Sequence, residues 1–507
     1  MGKKSYLMGI DVGSTNIKSA IFDLNGKEIA VVAKRLLPTQ PFPGWVERDM
    51  DTMWEYTVEV VKGSIKQSKI NPSQIEGVAV SGQGDGLYFI DKEGRPVRKG
   101  ILSIDFRATS ILKEWEAQGK CDELYPIMLQ KPHTGAPVTL LAWMKRNEPD
   151  NYNKIRWVIF CKDYINYKLT GVVSTDESDA TATLTDPRTR RYEPKILEIL
   201  GIEECKEKLP PIVPSWELCG RVTKQAAELT GLKEGTPVAS GLHDVDATGL
   251  GSGCMDHGQL LIILGTWEIN QIVLDRVVID PKRICMTRVH GVPGRWFLLN
   301  ASPAAATNLN WFIDQLGNEE KLNAEKEGMS AHAYADKVVE NIPIGSEGVI
   351  YHPFLYGQTG NAYARAGFYG ITGRHIRHHL LRAVYEGVAY STYLQVRQLE
   401  DVVKVKEVRI AGGGAKSKIW TKILSNVMNK PIKVPEGSEL GAKGVALTAG
   451  ICAGVFKDHK SALEAFTSVA YEQSPDKDDA KKYEKLYLLF EKTIKYSEPM
   501  WEEFGRN

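Results

Sequence analysis

Tyr6-Leu-Met-Gly-Ile-Asp11-Val-Gly13-Ser14-Thr15-Asn-Ile-Lys18-Ser-Ala-Ile-Phe-Asp23 reads as an apolar strand ending on an acid, a tight turn of one glycine and two hydroxyls, and a second strand of alternating character. Asn25-Gly26 then marks another hairpin turn. The arrangement returns 251 positions later, Thr266 answering Thr15, in Gln259-Leu-Leu-Ile-Ile-Leu264-Gly265-Thr266-Trp267-Glu-Ile-Asn-Gln-Ile-Val-Leu274-Asp275. A repeat spaced by half the chain predicts two related α/β domains facing each other across a cleft. Gly249, Gly251 and Gly253 punctuate the interval, so the domains are expected over 1–252 and 253–507.

The rest of the chain narrows the kind of ligand. A length of 507 residues, 43% of them apolar and 25% charged, is enough to bury more than one core and excludes disorder and fibre. Lysine and arginine number 64 against 63 acids, which gives no electrostatic reason to favour nucleic acid or an anionic membrane. The aliphatic run Leu260 to Leu264 falls far short of the roughly 20 apolar residues that cross a bilayer. The basic start, Met1-Gly2-Lys3-Lys4, lacks a following apolar stretch and is read as unprocessed. Seven scattered cysteines with no C-x-x-C pair fit a reducing cytoplasm and argue against a zinc cluster.

Four places carry residues suited to phosphate and sugar chemistry. Asp11 ends a strand where a carboxylate can hold Mg²⁺ directly or through water, while Gly13, Ser14 and Thr15 offer N–H groups and hydroxyls to phosphate oxygens. The same pentapeptide also fits a plain polar hairpin, and Lys18 either faces phosphate or is solvated. Gly265-Thr266 supplies a second hydroxyl-bearing turn, able with the first to grip a triphosphate from both sides. The strand Val408 to Ile410 runs into Gly412, Gly413 and Gly414, with Ser417 before a helix over Ile419 to Met428. Three adjacent glycines exceed what one turn requires and allow close approach of a nucleotide.

Gly241-Leu-His243-Asp244-Val-Asp246 puts two acids beside the expected boundary. Asp244 is the candidate general base, although an aspartate here also suits a helix cap. Asp246 is assigned to the helix, and His243 is left out of the chemistry. Ser81-Gly82-Gln83-Gly84-Asp85-Gly86 follows the strand Ile75 to Val80, and Gln83, Gly84 and Asp85 are expected to reach the vicinal hydroxyls of a small polyol; a glycine-rich surface loop is the alternative. A carboxylate at Asp85 in a confined pocket accepts hydroxyls and repels an anionic substrate, which favours a neutral ketose or polyol. Helices are predicted around Leu140 to Arg146, Tyr164 to Leu169 and Leu380 to Tyr393. A C-terminal amphipathic helix is predicted on Tyr483, Leu486, Leu488, Leu489 and Phe490.

These residues resemble the FGGY family of carbohydrate kinases over essentially the whole chain. Ala366-Gly-Phe368-Tyr-Gly370-Ile371, then His379-Leu380 and Ala383-Val384-Tyr385-Glu386, is similar to the family's C-terminal signature. Pro137-Val-Thr-Leu140-Leu141-Ala-Trp143-Met144 is similar to the N-terminal one, with Leu140 where the usual pattern has lysine. The resemblance implies an α/β chain of two actin-like, ribonuclease-H-like domains and MgATP-dependent phosphoryl transfer to a sugar hydroxyl in the cytoplasm. It implies Asp11 near Mg²⁺, Ser14, Thr15 and Thr266 near phosphates, Gly412 to Gly414 at the adenosine, Asp244 as base, and Trp45 and Glu47 bordering the sugar. Within the family the likeness runs first to L-xylulose kinases, through Gly44-Trp45-Val-Glu47-Arg48-Asp49-Met50 and Gly265-Thr266-Trp267, and next to erythritol kinases, through Gln83-Gly84-Asp85-Gly86. The expected partners are ATP and a small sugar or polyol, with a homodimer as the assembly allowed for. An actin- or chaperone-like ATP-binding protein without sugar chemistry is the alternative from another class, since it needs the same two phosphate turns.

Overall fold

The structure is a computed structural model that describes residues 4–506, so the basic start at residues 1–3 lies outside the described residues. It divides into two compact units. The first comprises residues 1–257, 273–298 and 436–468, and the second comprises 258–272, 299–435 and 469–507.

The first unit is organised around the opening strand, Tyr6–Val12, whose apolar residues are wholly or nearly buried. It pairs antiparallel with Asn16–Asp23, setting Asp11 opposite Lys18, and parallel with Ile75–Gly82, setting Asp11 beside Ser81. Sheet order is Leu218–Arg221, Pro237–Ala239, Ile75–Gly82, Tyr6–Val12, Asn16–Asp23 and Glu28–Arg35, and Leu242–His243 also pairs with Ile75–Gly82. A strand buried on both faces reads as a continuous apolar run, which is why Tyr6–Val12 was legible without strict alternation. The helix Met50–Ser68 covers the sheet with Met53, Trp54, Val60 and Val61, and Asp49 caps it by accepting the Thr52 N–H.

The second unit repeats this plan. Gln259–Leu264 pairs antiparallel with Glu268–Leu274 and parallel with Glu407–Ala411, which pairs parallel with Ile432–Pro435; Val469–Gln473 then pairs antiparallel at the edge. The duplicated hairpin in the sequence is thus a duplicated sheet topology.

One helix of the first unit comes from late in the chain. Leu440–Cys452 packs on Tyr6–Val12 and on the helix Asp244–Gly251 at backbone contact distance. A Cβ on Gly9 would stand 1.9 Å from the Ala442 carbonyl oxygen, one on Gly251 1.9 Å from that of Leu440, and one on Gly444 1.8 Å from that of Ala247. These three glycines are there because no side chain fits.

The predicted helices are present as Pro137–Asn147, Cys161–Thr170, Arg377–Glu400 and Lys418–Met428. The C-terminal helix, Lys477–Arg506, is amphipathic as expected, but its buried stripe is Tyr483, Tyr487, Phe490, Ile494 and Trp501. Leu488 and Leu489, expected on that stripe, are about half exposed at 50% and 45%. Helical spacing rotates them off the face defined by steps of three and four. No helix among the described residues is long and apolar enough to cross a membrane.

Candidate functional site

In the first unit the strand ends converge on three carboxylates. Asp11 is half-buried at the end of Tyr6–Val12 and accepts a 2.7 Å hydrogen bond from the Ser81 hydroxyl on Oδ1. Burial raises its carboxyl above the usual range, against the Ser81 hydrogen bond and the Lys18 charge. Gly13 closes the turn by donating to the Asn16 carbonyl, and the Ser14 and Thr15 side chains stand exposed beyond it. Arg48, buried, braces the turn from behind by donating to the carbonyl of Gly13 at 2.9 Å and to that of Ser14. Binding up these carbonyls leaves the turn's hydroxyl face open to an anion. Lys18 is in salt bridge with Glu439 at 2.6 Å, so its ammonium already has an anion.

Asp244 is the first residue of the helix Asp244–Gly251, where the helix dipole favours a negative group. Burial and then the charge of Asp11 push its carboxyl up to about 7, against backbone N–H groups of Val245 and Gly84 that stabilise the anion. A group poised there is both proton acceptor and acid at neutral pH. His243 caps the same helix: its Nδ1 accepts the Val245 N–H, leaving the ring proton on Nε2. Burial, then the Arg288 charge, lowers His243 to about 4, so the ring is neutral.

Gly84 lies flat on that imidazole; a Cβ there would fall 1.6 Å from His243 Nε2. Asp85 follows with a left-handed backbone, φ 53°, a strained conformation for a residue with a side chain. Its carboxylate takes Arg288 Nη2 at 3.1 and 3.2 Å and His133 Nε2 at 3.3 Å. Burial alone would raise the Asp85 carboxyl, but Arg288, His133 and His243 hold it well below the usual range. The charge at Asp85 is therefore balanced within the fold, and the repulsion of acidic substrates expected from the sequence has no isolated anion behind it. Gln83 donates to Tyr88 at 3.1 Å from within the buried loop.

Trp45 is half-buried, edge-on to Trp143 at 5.2 Å, with the Arg107 guanidinium 4.0 Å from its ring centre. Arg107 is locked by Asp105 and Glu47, and Asp105 also accepts the Val46 N–H. Glu47 and Asp105 thus hold Trp45 in place through Arg107 rather than standing open themselves.

In the second unit Thr266 stands exposed after Gly265, whose N–H bonds the Trp267 carbonyl. Gly412 has φ 86°, Gly413 has nothing within 4 Å of where a Cβ would be, and Gly414 is pinned by Leu264. Packing therefore explains Gly414 and not Gly413, which faces open space. Ser417 has its hydroxyl engaged, accepting the Trp420 N–H as N-cap and donating to Asp336 at 2.8 Å. The structure brings Asp11, the 13–15 turn, the 83–85 loop and Asp244 together in one unit, and Gly265, Thr266 and the glycine run in the other.

Sequence reasoning missed Arg288 and Arg48 as site residues. It also missed a buried chain in which Lys162 pairs with Asp176 at 3.0 Å, Asp176 accepts from Ser178, and Ser178 accepts the backbone N–H of His243 at 2.9 Å. The signal was a lysine with acids at 163, 176 and 179, the first beside it and the other two more than a dozen residues on, a separation that only the tertiary fold closes.

Two mixed α/β sheets built on one plan, a hydroxyl turn beside a strand-end aspartate, and a second aspartate at about 7 fit a phosphotransferase of the actin-like plan. The chain belongs to the FGGY family of carbohydrate kinases: the family's N-terminal domain matches residues 6–251 and its C-terminal domain residues 260–453. A Haemophilus influenzae protein described as "Probable L-xylulose kinase" is 34% identical over 96% of this chain and 98% of its own. An Escherichia coli "L-xylulose/3-keto-L-gulonate kinase" is 34% identical over 96% of each chain. The crystal structure of ligand-bound xylulose kinase from Lactobacillus acidophilus shares the fold, with a TM-score of 0.88 at 24% identity over 99% of this chain and all of its own.

Proposed function

We propose that this protein transfers the γ-phosphoryl group of ATP to a primary hydroxyl of a small ketose, with a pentulose such as L-xylulose as substrate, in the cytoplasm. The observation that carries this reading is Asp244, an acid at about 7 heading a helix beside the Asp85 loop and within the field of Asp11. Asp244 orients the attacking hydroxyl and takes its proton late, because alignment and charge neutralisation dominate phosphoryl transfer. The sugar side is supplied by Gln83, Gly84, Asp85 and Trp45, and the nucleotide side by the turns at 13–15 and 265–266 with Gly412 to Gly414.

The donor set suits a hard divalent cation. Asp11 is a carboxylate raised by burial, with one oxygen engaged by Ser81. Among the described residues no group of three or more acidic, histidine or cysteine side chains is gathered for a metal. A single carboxylate such as Asp11 suits Mg²⁺ held together with phosphate oxygens and water. When bound there, the ion neutralises charge on the phosphates.

ATP-to-ADP turnover against L- and D-xylulose, L- and D-ribulose, erythritol, glycerol, gluconate and 3-keto-L-gulonate tests the reading. Strong stimulation by L-xylulose supports it, dependence on erythritol replaces the substrate, and binding of ATP with no sugar-stimulated turnover overturns the kinase reading in favour of a protein-clamping ATP cycle.

A further inference from the structure

Arg288 lies on the strand Met286–Val289 of the first unit, in a stretch that no sequence motif singled out. Its side chain is 4% exposed, and it is fixed on two sides. Nη2 reaches both oxygens of Asp85, and Nε donates to Gln130 Oε1 at 3.2 Å. The Gln130 amide has no freedom to turn, because its Nε2 donates to the Thr181 carbonyl at 2.6 Å. A guanidinium carries five N–H donors in a rigid plane, so pinning Nε and Nη2 fixes where Nη1 stands. Among the described residues Nη1 meets no acceptor, and it is not sealed from solvent.

Asp85, for its part, retains acceptor capacity. A carboxylate offers about four lone-pair directions, and the bonds from Arg288 and His133 leave one open on Oδ1. The pair therefore presents an unused charged donor next to an unused charged acceptor, on a loop held in a strained conformation. Two adjacent sugar oxygens match it when one carries no hydrogen and its neighbour is a hydroxyl. A polyol places a hydroxyl at both positions; a ketose places a carbonyl at one.

We propose that Arg288 is a specificity-determining residue that donates from Nη1 to the carbonyl oxygen of a ketose while Asp85 accepts the adjacent hydroxyl. The inference rests on the sugar-kinase reading and deepens it: the pocket selects hydroxy-ketones over the corresponding polyols. A charge-assisted hydrogen bond that only the ketose makes well is a source of discrimination, since the polyol must turn its hydroxyl to accept and lose other partners.

The test compares L-xylulose with a pentitol formed by reducing its carbonyl, in the full-length wild type, Arg288→Gln and Arg288→Lys, with melting temperature recorded for each. The wild type is expected to prefer the ketose in kcat/KM by about 100-fold or more. Arg288→Gln is expected to raise KM for the ketose by roughly 10- to 100-fold with a much smaller change in kcat, to leave KM for ATP unchanged, and to bring the two acceptors close to parity. Arg288→Lys keeps the charge beside Asp85 but loses the fork, and is expected to lose part of the preference in the same direction. A folded Arg288→Gln with the wild-type ratio overturns the proposal, and should that variant not fold, an unaltered ratio in Arg288→Lys does so. A wild type that uses ketose and pentitol alike removes the role of Arg288 while the kinase reading stands, whereas a wild type stimulated by no sugar removes the kinase reading itself.

Discussion

Asp244 stands in the field of Asp11, and after burial that neighbouring charge is the largest cause holding its carboxyl at about 7. A base must be ionised to accept a proton, so kcat/KM for the sugar should rise about tenfold per pH unit up to about pH 7 and level off above it. In Asp11→Asn, slower overall, the same limb should move to lower pH because one raising charge is gone. Initial rates between pH 5 and 9 in both proteins check this, and coincident limbs would separate the two residues.

Asp244→Asn keeps the shape and removes the proposed base. Its kcat should fall by roughly 10²–10⁴ while calorimetric sugar affinity is kept within a few-fold. Stability should move the other way. The folded carboxyl lies above its ordinary value, so the native state binds the proton more tightly, and stability contributed below pH 4 is lost as pH rises towards 7. The asparagine variant should therefore melt above the wild type at pH 8, with the gap closing towards pH 4; an equal or lower melting temperature at pH 8 would contradict the strain assigned to this charge.

Gly444→Ala drives a methyl group to 1.8 Å from the Ala247 carbonyl oxygen, so backbone must shift. A loss of at least about 2 kcal/mol is expected, seen as a lower denaturation midpoint. Activity should suffer with it, because Ala247 belongs to the helix that Asp244 heads.

Gly413→Ala is the contrasting case. Nothing lies within 4 Å of the added carbon, and the melting temperature should stay within a few degrees of wild type. If the open space is the nucleotide's, KM for ATP should rise by about tenfold or more while KM for the sugar holds.

The quoted hairpin and its repeat made the two-part α/β plan legible, because an apolar strand, a glycine turn and a second strand are local patterns. Asp11, Asp244 and the glycine runs were visible for the same reason: each sits where a strand stops. Arg288 was not, since it lies 203 positions from Asp85 and nothing in its own segment speaks of a carboxylate. Leu488 and Leu489 misled because adjacent leucines invite one face, whereas the helix turns about 100° between them. Asp85 was read as a lone carboxylate, because its partner Arg288 is one that sequence could not seat.

The glycine-lined seam along Leu440–Cys452 also says something about the order of events at the ribosome. The strand carrying Asp11 and the helix headed by Asp244 leave the exit tunnel first, yet the segment that fits against them is translated about 190 residues after Gly251, a delay of roughly 10–40 s at ordinary elongation rates. The first unit is thus finished by a late segment, and a chain stopped at residue 251 lacks the helix that packs on Gly9 and Gly251.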